Sequence, residues 1–227
     1  SPDGKKLAVA TSTGVTIYSA ETLELLDSLS TDEGVKEISY SSDGQTLALS
    51  FSNGVSLWSS TGGITQLDIS NMNNQEILSL AYSPDGKWLV VGSENGTSIF
   101  ETTTNKLQVS LQNPNVSDAH EAKGVTFSPD GKMLAVGMFE DYQEAIIEFW
   151  NTSNWQLVDI PVNYYSAPIE DSNSFSFSPD GKTLIYSTDG DSIVLWNLAD
   201  GTTINPASES FGYGFNVVAI SPDGKTV

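Results

Sequence analysis

A chain of 227 residues with 38% hydrophobic and 10% aromatic residues has enough apolar surface to build a substantial core, which excludes a disordered polypeptide. A formal charge of -20, from 29 acids against nine bases, argues against a nucleic-acid or anionic-lipid surface, because phosphate binding relies on Lys and Arg. With no cysteine there are no disulfides and no thiolate metal sites, and no window approaches the ~20 apolar residues of a membrane-crossing helix.

The chain opens on Ser1-Pro2-Asp3-Gly4-Lys5, and this stretch returns at Ser83-Lys87, Ser128-Lys132, Ser178-Lys182 and Ser221-Lys225, with a degenerate copy at Ser41-Gln45. Successive copies start 40, 42, 45, 50 and 43 residues apart. That period is the length of a four-stranded propeller blade. Proline suits the first central position of a type I turn, aspartate the second, and glycine the left-handed residue after it, so the motif reads as a tight hairpin.

The flanks agree with a hairpin. Short apolar or alternating runs precede the copies (Ile38-Tyr40, Leu78-Tyr82, Val125-Phe127, Phe175-Phe177, Val217-Ile220) and follow them (Leu7-Ala10, Leu47-Leu49, Leu89-Val91, Leu134-Val136, Leu184-Tyr186). They read as paired strands. A third strand ends on an aromatic, Tyr18, Trp58, Phe100, Trp150 or Trp196, and in four repeats follows a Gly-containing turn: Thr13-Gly14, Asn53-Gly54, Asn95-Gly96 or Asp189-Gly190. Fourth, weaker strands are expected over Leu23-Leu29, Ile64-Ile69, Lys106-Leu111, Trp155-Val162 and Thr202-Ile204. Repeated Asp and Lys could be a repeated ligand site, but turn chemistry alone accounts for them.

The pattern resembles the WD-repeat family of β-propellers, in a divergent bacterial-type form, with Trp150-Asn151, Trp196-Asn197 and Trp58-Ser59 where that family has Trp-Asp. The resemblance implies an all-β propeller of four-stranded antiparallel blades, about five of them in residues 1–227, with units starting near residues 1, 41, 83, 128, 178 and 221. The family's Gly-His dipeptide is missing, and only His120 lies near its place. The family's Asp-His-Ser-Trp hydrogen-bond network is therefore expected to be absent. Beginning in a turn and stopping just after the sixth motif, the chain is expected to be a single propeller domain or part of a larger six- to eight-bladed one. A five-bladed ring closed by Phe215-Ile220 is the rival.

All nine bases are lysines, five of them in the motif, so no guanidinium clamp for phosphate can form and nucleotide or DNA binding is excluded. The cysteine-free, acidic, Ser/Thr/Asn-rich composition leans towards a bacterial extracellular or cell-surface protein. Sequons at Asn95, Asn115 and Asn151 read as chance in such a composition.

In the resembled architecture the second-to-third strand loops and the inter-blade loops share one face. Three loops there are unusually long: Met138-Glu144, Asn163-Asp171 and Ser208-Gly214. The candidate partner-binding residues are Phe139, Asp141, Tyr142, Tyr164, Tyr165, Glu170, Asp171, Phe211 and Tyr213, aromatic anchors in an acidic rim. The alternative for Tyr164, Tyr165 and Phe139 is that they pack their own loops down. Asp189-Gly190-Asp191 and Glu140-Asp141 offer hard oxygen ligands but reproduce no EF-hand, and no metal or cofactor is expected.

One histidine, no Gly-x-Ser-x-Gly elbow and no Walker loop speak against an enzyme. The expectation is a non-catalytic interaction platform for a protein partner or neighbouring domains. Two alternatives stay open: a propeller enzyme using paired carboxylates on glycosides, and a ligand-sensing domain of a longer protein. Sialidases share the fold class but need arginines, which are lacking here.

Overall fold

Each motif hairpin closes on itself with side-chain hydrogen bonds. The computed structural model, which describes residues 1–72, 75–112, 121–139, 145–160, 175–188, 192–204, 220, 221, 223, 224 and 226, has the same arrangement at all six copies. The serine Oγ donates to the aspartate Oδ1 two residues on, at 2.6–2.8 Å. It also accepts the amide five residues on, at 2.9–3.0 Å. In the first five copies the same aspartate oxygen accepts a second amide at 3.0–3.1 Å. Local bonds of this kind make Ser and Asp prefer turns. The lysines reach the motif aspartates only as exposed ion pairs, at 3.9, 3.2 and 3.3 Å for Lys5, Lys87 and Lys132, which contribute little.

These hairpins organise five antiparallel sheets, each a meander in chain order. The first is β1 (Lys6–Thr11), β2 (Gly14–Ser19) and β3 (Leu25–Ser30). The second is β4 (Ile38–Tyr40), β5 (Leu47–Ser50), β6 (Val55–Ser59) and β7 (Gly63–Gln66). The third is β8 (Ile77–Tyr82), β9 (Trp88–Ser93), β10 (Gly96–Glu101) and β11 (Lys106–Leu111). The fourth is β12 (Glu121–Phe127), β13 (Met133–Phe139), β14 (Ala145–Asn151) and β15 (Gln156–Leu157). The fifth is β16 (Phe175–Phe177), β17 (Thr183–Thr188), β18 (Ser192–Asn197) and β19 (Thr203–Ile204). This is the blade architecture of a β-propeller: among the described residues four sheets have four strands and the first has three. The chain divides into two compact units, Ser1–Ser110 and Leu111–Val227.

In the first unit the period-2 alternation of β5 sends its residues to two neighbours. Leu47 and Leu49 pack with Val15 and Ile17 of the first sheet, while Ala48 joins Ile77, Leu89 and Phe100 of the third. All four residues of β5 are buried, as expected of a strand covered on both faces. Successive hairpins also touch: a Cβ on Gly44 would lie 3.6 Å from Pro2 Cδ. The same spacing separates Gly181 from Pro129, and Gly224 from Pro179, in the second unit. Proline therefore presets its own turn and packs against the glycine of the next.

The core of the second unit is aromatic. Phe149 meets Trp196 edge-on at 5.4 Å and Phe177 at 6.4 Å. Beside them, Gly124 and Gly137 are cross-strand partners whose missing side chains leave a slot for the Phe175 ring. A Cβ at Gly124 would lie 2.5 Å from Phe175 Cε1, and one at Gly137 would lie 2.6 Å from it.

The structure corrects several boundaries. Trp155 and Leu23, expected to open fourth strands, sit in the preceding turns at φ 54° and 58°. The described strand after Trp155 is only Gln156–Leu157, and Leu67–Ile69 leave β7 for a 3-10 turn at Ser70–Met72. Gly14 and Gly96 are the first residues of β2 and β10, each paired across the sheet, and do not sit at turn centres.

Two outcomes follow from this packing and turn chemistry. Gly137→Ala drives a methyl into the Phe175 ring and is expected to cost about 1–3 kcal/mol of unfolding free energy by urea titration. Phe175→Leu in the same chain should recover most of that loss, and a neutral single variant would refute the slot.

The second outcome concerns acid. Asp3, Asp43 and Asp180 are held below the ordinary carboxylate value of 3.8 chiefly by the motif serine hydroxyl, and Asp130 chiefly by the Lys132 amide. At Asp85 burial opposes the shift, but Ser83 and Lys87 outweigh it. A lowered folded value means the contribution is complete above pH 3.8 and is lost as pH falls through the lowered values. The melting temperature should hold between pH 7 and 5, then drop below about pH 4. Asn at all five positions should flatten that drop.

Candidate functional site

Each sheet has a hairpin end, where the motif turns and the third-to-fourth strand turns lie, and an opposite loop end. At the loop end of the first unit the connections are tied down by main-chain bonds. Val35 N–H donates to Thr11 O at 3.1 Å, and Lys36 N–H to Ser50 O at 3.0 Å. Ser50 N–H donates to Glu37 O at 2.9 Å, while Ser50 Oγ accepts the Glu37 amide at 2.9 Å. Further along, Ile77 N–H donates to Ser52 O at 3.2 Å and Glu94 N–H to Glu76 O at 3.2 Å.

Glu37, Glu76 and Glu94 therefore stand on hydrogen-bonded main chain, and Asp32 and Glu33 lie between the bonded amides of Thr31 and Val35. Lys36 pairs with Glu76, joining two inter-blade connections, and Glu94 Oε2 accepts the Glu76 amide at 3.3 Å. The result is an acidic rim whose chemistry is to attract cationic groups. The Lys36–Glu76 pair escaped sequence reasoning because its members are 40 residues apart. The signal available was that both fall in linkers one repeat apart.

At the hairpin end of the first unit a groove of about 380 Å³ opens between the second and third motifs. Its lining includes Ser42, Asp43, Gly63, Tyr82, Thr102 and Asn105. It sits at the one motif copy that lacks proline and lysine, having Ser42 and Gln45 instead. Burial, with Asp43 nearby, pushes the Tyr82 hydroxyl up to about 12, so it remains a neutral donor at physiological pH. The groove presents hydroxyl and amide groups beside the Asp43 carboxylate.

The structure carries Phe139 as the last residue of β13. Asp141, Tyr142, Tyr164, Tyr165, Glu170, Asp171, Phe211 and Tyr213 lie outside the described residues, as do the Phe139 side chain, His120, Glu140 and the Asp189-Gly190-Asp191 turn. Among the described residues no group of three or more His, Asp or Glu side chains could hold a metal, and no helix is long and apolar enough to cross a membrane. The Asn95 sequon places Thr97 4% exposed in β10, whereas Asn151 is engaged by Ser153 through bonds of 2.9 and 2.6 Å.

The blade aromatics use a different polar arrangement from the one the resemblance implies. Trp150 Nε1 donates to Glu148 Oε2 at 3.1 Å, within one strand, and Glu148 is 6% exposed. Thr16, Ser56, Ser98 and Val194 occupy that position in the other repeats. The Trp196 indole N–H is buried with no partner among the described residues.

Comparison with known proteins agrees with this geometry. Residues 61–98 match the model of the WD domain, G-beta repeat, a stretch running from β7 into β10. No curated protein sequence matches the chain. Among solved structures 1484 chains match. One, from the "Crystal Structure of Mitotic Checkpoint Complex", is similar with a TM-score of 0.74 at 20% identity, covering 98% of this chain and 68% of that one. At that identity the likeness speaks to fold: the chain has the blades of a β-propeller, and one stretch of it is similar to the WD repeat.

Proposed function

We propose that this protein is a non-catalytic interaction platform, a propeller whose blades hold a rigid acidic loop surface against a protein partner or a neighbouring domain. The observation that carries the reading is the pinning of the loop-end connections. Backbone bonds from Val35, Lys36, Ser50, Ile77 and Glu94 tie down the main chain that carries the carboxylates. A surface that is already ordered loses little entropy on binding. One solved structure with the same fold is that of a mitotic checkpoint complex, which supports the reading by analogy of fold.

The partner is recognised through cationic groups on its surface, drawn by the -20 charge, and through apolar pockets that accept tyrosine. The tyrosines assigned to this task are Tyr142, Tyr164 and Tyr165, in the long loops 138–144 and 163–171, together with Phe139, Asp141, Glu170, Asp171, Phe211 and Tyr213. The divergent, Ser-Pro-Asp-Gly form of the repeat and an extracellular or cell-surface setting in bacteria complete the proposal.

The test is affinity capture with the whole chain as bait. Tyr→Ala at 142, 164 and 165 together should abolish retention of a salt-sensitive partner while leaving the melting curve unchanged. A lowered melting temperature would instead assign the three rings to loop packing. Turnover of a glycoside, lost on a single carboxylate-to-amide change, would overturn the platform reading.

A further inference from the structure

The outer strands of the sheets differ in length: β3 and β11 have six residues, β7 has four, and β15 and β19 have two. Among the described residues β3 pairs only with β2, so its other edge carries main-chain groups with no strand beside them. The direction of those groups follows from the register. Thr31 N–H donates to Thr13 O, and the pairs Val15↔Leu29 and Ile17↔Asp27 continue the same alternation. The amides of Asp27 and Leu29 therefore face β2, and those of Ser28 and Ser30 face outwards.

Two features mark this edge. The register shift opposite Ile17 and Tyr18 leaves Leu26 as an extra residue, so Leu25 and Leu26 are both in solvent, 60% and 53% exposed, with Leu23 at 66% beside them. Residues 21–35 also contain Glu21, Glu24, Asp27, Asp32 and Glu33 and no lysine. The other long outer strand, β11, begins with Lys106 and lacks this charge.

The outward Ser28 amide is occupied: Asp27 Oδ1 accepts it at 2.8 Å. A carboxylate seated on an edge amide is a guard against indiscriminate strand addition. It also selects. An incoming Lys or Arg attracts the Asp27 carboxylate and releases the amide, whereas an acidic strand, a second copy of this chain included, sets like charges opposite each other.

We propose that β3 is a docking edge for an extended basic segment of a partner protein, which adds to the first sheet as a further strand with its apolar side chains against Leu25 and Leu26. The proposal rests on the interaction-platform reading and names one surface and one partner chemistry for it. Main-chain bonds supply affinity and the acids at residues 21–33 supply the preference for basic segments.

The experiment is fluorescence anisotropy of a short peptide alternating valine and lysine, titrated with the whole chain. Saturable binding is expected, with about a tenfold loss on Ser28→Pro, the worth of one edge hydrogen bond. Because the Ser28 amide faces away from β2, proline there leaves the ladder to β2 intact, which an unchanged melting temperature checks. Asp27→Lys should abolish binding of the same peptide, and a valine–glutamate peptide should not bind the wild type. No saturable binding, equal binding by Ser28→Pro and wild type, or equal binding of the two peptides would overturn the docking edge. Partner capture that still depends on Tyr142, Tyr164 and Tyr165 would then leave the platform standing with a different surface.

Discussion

The structure depends on one hydroxyl per repeat. The motif serine Oγ donates to an aspartate and accepts an amide, so it closes the hairpin within five residues and needs nothing from the rest of the chain. A hairpin closed this tightly sets the register of its two strands, and register decides which side chains face which neighbour. Slipping β5 by one residue would exchange Leu47 and Leu49 with Ala48, emptying one inter-sheet space and overfilling the other. The packing of the first unit therefore rests on turn chemistry that is repeated, local and nearly invariant.

The degenerate second motif separates the necessary parts from the helpful ones. Ser41, Asp43 and Gly44 keep the full hydrogen-bond set although proline and lysine are gone. Proline's distinct contribution is the contact with the next glycine, as between Pro2 and Gly44. Where Ser42 stands instead, a Cβ on Gly86 would lie 2.4 Å from Ser42 Oγ, and the groove opens beside that contact. Lysine's contribution is slight, since its pairs are exposed to solvent. The motif is thus explained without a ligand.

These facts explain what could be read from the letters. Turn chemistry acts over five residues and repeats six times, so strand pairs, blade period and fold class were legible from Ser-Pro-Asp-Gly and the terminal aromatics alone. The outer strands were less so, because Trp155 and Leu23 look like strand residues and only the left-handed turn geometry moves them out. Features set by distant partners were not legible at all. Phe175 needs two glycines on neighbouring strands of another sheet, and Lys36 needs a carboxylate 40 residues away. The Asp27 guard was hidden for the opposite reason: one acid beside one serine has no pattern to stand out from. The candidate aromatics, Tyr142, Tyr164 and Tyr165, rest on loop length and composition, since they lie outside the described residues.

The division of labour within each sheet then bears on function. The hairpin end is committed to holding register, and its aspartates and serines are spent on one another. The loop end and the outer strands carry no such duty, and they are where the repeats diverge. Motif spacing ranges from 40 to 50 residues, and outer strands range from six residues to two. Val35, Leu67 and Met72 anchor these connections in the inter-sheet packing, but exposed positions beside them, such as Glu33 and Leu25, lie outside it and can vary without loss of fold. The acidic rim is one such place, and β3 is another. Both face outwards from the same rigid frame, and both are negative in a chain that has no arginine and keeps five of its nine lysines in motif turns. Under the proposed platform role, the loop end of the first unit and the β3 edge would both favour a cationic partner.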